Sequence, residues 1–97
     1  MNTNTMSQIE PIAERICSLE SAINFKLAAS VQFEQAGETY NAQSRLNDAD
    51  TLRIEQRELF VQARNICRAA GVSLPGLTGL RRLSDNYTER QPVRQNN

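Results

Sequence analysis

The sequence has no histidine. This removes the commonest general base at neutral pH and the commonest metal-ligating side chain. Its two cysteines, Cys17 and Cys67, lie fifty residues apart. No C-x-x-C pair exists, which excludes the usual zinc spacing and a thioredoxin-like motif. Two buried thiols in a reducing compartment are expected. Tryptophan is absent and aromatics make up 5% of the chain, so the core must come from Ile, Leu, Val and Ala. In 97 residues that gives one small domain with a modest core, and self-association is expected. No apolar run is long enough to span a membrane. The start, "MNTNTMSQIE", lacks the basic residues and apolar stretch of a signal peptide, so a cytoplasmic protein is expected. No nucleophile–base pair, phosphate loop or carboxylate dyad is present. The reading is of a non-enzyme with no catalytic residues, no cofactor, no metal and no small-molecule substrate.

Acidic and basic side chains balance at eleven each, but not along the chain. Residues 1–60 hold nine acidic and five basic side chains, a net of −4. Residues 61–97 hold six arginines against Asp85 and Glu89, a net of +4. Arginine's planar fork suits phosphate and carboxylate alike, so the asymmetry points to a polyanion or an acidic protein surface.

The apolar pattern is helical throughout, and the expected fold is all-α. Ile9, Ile12, Ile16, Leu19, Ile23, Leu27 and Val31 fall at spacings of three and four, one face of a helix. Ser7 and Glu10 have capping-box spacing, and Pro11 suits a first turn, so this helix is expected over about 8–36. Gly37 is a stop signal, with "GETYN" as the turn. A second helix is expected over about 41–70, with Leu52, Leu59, Ala63, Ile66 and Ala70 on its apolar face. Asp48 and Asp50 offer caps for a shorter version starting near 51, but the longer one gives an antiparallel hairpin of two similar helices. If the chain reverses near residue 42, Cys17 and Cys67 become core neighbours. Ile16, Leu19 and Ile23 then face Ile66, Ala63 and Phe60. A short third helix is expected over about 74–84, with residues 1–6 and 86–97 as disordered tails. Phe25, Ile54 and Val61 point away from the main seam and, if exposed, mark a dimer or partner contact.

The stretch "ICRAAGVSLPGLTGLRRL", residues 66–83, supports two readings. A helix-turn-helix needs apolar and small residues on its first helix, a glycine at the turn, an apolar plug, and two buried positions on its second helix. Ile66, Cys67, Ala70, Gly71, Val72, Leu77 and Leu80 fill those places, with Ser73 as the cap of the second helix. The string "AAGVSLP" resembles the turn of the repressor-type helix-turn-helix families, the lactose-repressor-like and phage-repressor-like groups. The resemblance spans about 20 residues and implies DNA-binding roles. Ser73 would cap the recognition helix, and Thr78 and Arg82 would face the groove. Arg81 would reach the flanking backbone and Arg68 a phosphate, while Arg is the commonest reader of guanine. Pro75, Gly76 and Gly79 depart from that pattern, because glycines weaken a helix and carry no side chain to a base. In the second reading, Gly71 and Val72 simply end the long helix. Leu74, Leu77, Leu80 and Leu83 then pack a loop and a short helix onto the hairpin.

Two functions follow as expectations. One is a small dimeric DNA-binding regulator. The other is a helical protein-binding module, an adaptor or inhibitor of the phage or plasmid accessory type.

Overall fold

A computed structural model describes residues 1–91 and contains three helices in that span: α1 (Thr3–Gln35), α2 (Thr39–Ala69) and α3 (Leu77–Arg90). The long hairpin with a shorter third helix is the architecture expected from the apolar periodicity. Several boundaries differ.

Helix α1 starts earlier than expected. Asn2, not Ser7, is its N-cap, and the Asn2 Oδ1 accepts from the Thr5 N–H at 2.8 Å. Ser7 instead donates to the Thr3 carbonyl at 2.9 Å, so no capping box forms with Glu10. Residues 3–6 are therefore helix, not tail, and Thr5 is buried. Pro11 lies inside α1. An interior proline costs about 3 kcal/mol against alanine; burial of Ile9, Ala13 and Ile16 around it favours the continuous helix.

Both long helices end in the same way. Gly37 and Gly71 have φ of 75° and 72°, a conformation that glycine adopts without a Cβ penalty. Around Gly37, the Glu38 N–H reaches the Phe33 carbonyl at 2.8 Å and the Gly37 N–H the Glu34 carbonyl at 3.0 Å. Around Gly71, the Val72 N–H reaches the Cys67 carbonyl at 3.0 Å and the Gly71 N–H the Arg68 carbonyl at 3.1 Å. Each is a Schellman motif that satisfies the last free carbonyls of its helix. The chain thus reverses at 36–38 rather than near 42. Asp48 and Asp50 lie within α2 and form ion pairs there instead of capping it.

That reversal fixes the register. The Gln56 Nε2 donates to the Ile16 carbonyl at 3.2 Å and to Glu20 at 2.9 Å. Arg15 pairs with Glu55, and the Ser30 hydroxyl donates to the Ala42 carbonyl at 3.0 Å. Ile16 therefore lies near Gln56, not Ile66, and it is Ile9 that clusters with Ala63 and Cys67. Cys17 lies eight residues from Ile9, roughly 12 Å along the helix, so the two thiols are not core neighbours. Both cysteines are free.

From Val72 the chain runs back over the hairpin, with Val72 and Leu74 packed on the Ile9–Ala63–Cys67 cluster. Then α3 docks against α1; among the described residues it makes no close backbone approach to α2. Leu80 is buried with Ala13 and Ile16, and Arg90 pairs with Glu10. So α3 runs opposite to α1, beside its first half. The result is a three-helix base and a two-helix arm, the arm spanning about residues 24–50. Residues 86–90, expected as tail, are the last turns of α3; the rest of that expected tail, including Arg94, lies outside the described residues, Gln91 apart.

Candidate functional site

The residues expected to meet DNA lie on three elements. Arg68 is in the last turn of α2, Ser73 in the connection, and Thr78, Arg81 and Arg82 on α3. All five are exposed, and none is held in an ion pair among the described residues. Helical spacing puts Thr78 and Arg82 together on the outward side of α3, with Asp85 and Glu89 on the same side. That face is therefore of mixed charge. Arg81 lies on the flank, where its charge reaches the Cys17 thiol.

Ser73 does not cap α3. The helix begins three residues later than expected, at Leu77, after Gly76, and no side chain caps it. The connection from 70 to 76 is accordingly longer than a three- or four-residue helix-turn-helix turn. Gly79 has a packing role that sequence reasoning missed: a Cβ there would lie 2.6 Å from the Pro75 Cβ. The glycine lets the connection fold closely over the first turn of α3. Leu74, Leu80 and Leu83 pack onto the hairpin as expected, whereas Leu77 is 41% exposed.

The thiols sit in the base. Burial pushes the pKa of both Cys17 and Cys67 above the ordinary thiol value. At Cys17 the nearby Arg81 and Ser84 work against that rise, and Asp85 and Glu14 add to it. Glu10 is the least expected feature. Its side chain is 1% exposed, Oε1 accepts from Arg90, and Oε2 has no hydrogen-bond partner among the described residues. A cleft of about 300 Å³ lies over it, lined also by Thr3, Met6 and Ser7. A wider cleft of about 510 Å³ opens between the start of α1 and the end of α2. Its polar lining is mainly carboxamide, from Asn2, Asn4, Gln8 and Asn65, and among the described residues no titratable side chain borders it.

The larger exposed apolar side chains are elsewhere. Phe25 is 71% exposed, Ile54 55% and Val61 47%, so the three residues expected to point away from the seam do so. Tyr40 and Leu46 join them, and so does Val31, which the sequence placed on the core face. Successive steps of four rotate the Leu27–Val31 positions off the seam, and Ser30, seven residues from Ile23, is buried instead. On α2 the outward line from Ile54 through Arg57, Val61 and Arg64 to Arg68 is wholly exposed. Its signal in the sequence is a second three-four spacing, half a turn from the apolar one.

Among the described residues, no helix is long and apolar enough to cross a membrane. No protein-family model, curated protein or solved structure matches the chain.

Proposed function

We propose that this chain is a helical protein-binding module that presents the exposed side of its hairpin to a partner. The observation that carries this is the run of exposed apolar residues on or next to the arm: Phe25, Val31, Tyr40, Leu46 and Ile54. Phe25 points away from α2 and Ile54 away from α1, so each helix leaves apolar groups on its own outward side, and several such groups mark a contact surface more often than an isolated one does. Among the described residues no third helix covers the arm, and its seam closes with Ser30, Ala42 and Ala49. A partner would supply the missing cover. The basic line on α2 gives such a contact charge selectivity.

A second reading, a DNA-binding regulator, draws support from the exposure of Arg68, Arg81 and Arg82, which have no ion-pair partner among the described residues. One experiment separates the two. Binding of the full chain to duplex DNA is measured over a salt series, beside an Arg81→Ala/Arg82→Ala variant. DNA binding through α3 would fall steeply with salt and fall further in the variant, because each phosphate contact releases counterions. The protein-binding reading expects no such slope. It expects instead that protein partners cross-linked in 0.5 M salt (about three times physiological ionic strength) are lost on Phe25→Ser and Ile54→Ser. A steep DNA isotherm sensitive to Arg81 and Arg82, with no cross-linked partner, would overturn it.

A further inference from the structure

The outward face of α2 is self-complementary. Tyr40, Asn47, Ile54, Val61 and Arg68 recur at intervals of seven, and every one is exposed. Beside them runs a second exposed row, Gln43, Asp50, Arg57 and Arg64, with the same interval. Ile54 and Val61, with Tyr40 at the start of the row, put exposed apolar side chains at multiples of seven on this face, and such apolar spacing is what a second helix packs against. The ends of these rows differ in character: the aromatic and the acid lie toward the start of α2, and the arginines toward its end.

We propose that the partner of this face is a second copy of the same chain, with the two α2 helices packed antiparallel about Ile54. The inference rests on the reading of the hairpin as a protein-binding module and names what its α2 side binds. In this pairing Ile54 meets its own counterpart at the two-fold axis. Seven residues either side, Val61 meets Asn47 of the other copy. Fourteen residues either side, Arg68 meets Tyr40, the geometry in which a guanidinium stacks on an aromatic ring. On one flank Arg57 lies across from Asp50. The carboxylate of Asp50 is exposed, and its only ion pair among the described residues is a long one to Arg53, 3.5 Å. It is therefore open to a second arginine. A parallel pairing would set Arg57 on Arg57 and Arg68 on Arg68, and like charges in register disfavour it. A two-fold contact of this kind closes on itself and stops at the dimer.

The test is the mass of the full chain in solution by sedimentation equilibrium over a dilution series. The expected result is twice the 10.9 kDa of one chain at high concentration, with reversible dissociation on dilution. Asp50→Arg and Arg57→Asp should each weaken the dimer by about tenfold or more, since each sets like charges face to face. Combined in one chain, they should restore it. Ile54→Asp should abolish it. Ile54 and Asp50 are exposed, so these variants keep the fold, and an unchanged helical circular dichroism spectrum checks this. A dimer insensitive to all of these changes would overturn the proposal, as would a charge swap that rescues nothing. A monomer at every concentration would overturn it too. If that monomer still cross-links to protein partners through Phe25 and Ile54, the binding-surface reading survives and only the identity of the partner fails.

Discussion

The base and the arm of this molecule are built from the same two helices, yet they bury very different side chains. At the base, α1 is covered on two sides, and Ile9, Ile16, Leu19, Leu80 and Cys67 are almost wholly withdrawn from water. Along the arm the buried positions are Ser30, Ala42 and Ala49. Phe25, Val31, Tyr40 and Leu46 lie there too, but they are exposed. Free energy from burial scales with apolar area, so the base carries most of the stability. Small residues still let α1 and α2 approach closely along the arm. That approach is held by polar links: Ser30 to the Ala42 carbonyl, Lys26 to Asp48, and Arg45 over the Phe33 ring at 5.8 Å. The lesson is one of division of labour. The part with a third helix buries its large apolar residues, and the part without one leaves several of them in water.

This contrast can be broken most forcefully at Leu80. Leu80→Ala should cost about 2–5 kcal/mol, a large share of the stability of so small a domain, read as a lower denaturation midpoint. A loss under about 1 kcal/mol, outside the range for a buried leucine, would mean that α3 contributes little to the base. Gly79→Ala comes next. Helix propensity alone expects a gain of roughly 1 kcal/mol. Contact with the Pro75 ring expects a loss of about 1–3 kcal/mol from overpacking, and the sign of the measured change decides between them. In the arm, Ser30→Ala should cost about 1 kcal/mol, the net value of one buried hydrogen bond. Phe25→Ala should change stability by no more than about 0.5 kcal/mol, while weakening partner capture. A large stability loss at Phe25 would place it in the folding core and remove the contrast.

Much of the base was legible in the sequence. Ile9, Ile12, Ile16, Leu19 and Ile23 announced the buried face of α1, and Gly37 and Gly71 announced the two helix ends. What escaped was decided by tertiary register. Ser7, Glu10 and Pro11 form a convincing helix start, but Asn2 caps first, and the hydrophobic cluster around Ile9 carries the helix through the proline. The pairing of Cys17 with Cys67 followed from a reversal near 42, and a shift of a few residues in the turn moves partners by twice as many. Gly79 read as a weak point, because nothing local shows that Pro75 folds back over it. Of the residues in the second three-four row on α2, the sequence marks only Ile54 and Val61, as apolar side chains off the seam; Arg57 and Arg64 gain meaning from the helix showing that side to water.

Native-state hydrogen exchange, resolved by segment, tests the division between base and arm most directly. The expected result is that amides of α1 from 9 to 20 and of α3 from 80 to 87 exchange only through global unfolding. Amides from 27 to 46 should exchange through a separate, lower-energy opening. Equal protection along both halves of the hairpin, in dilute monomer, would contradict it.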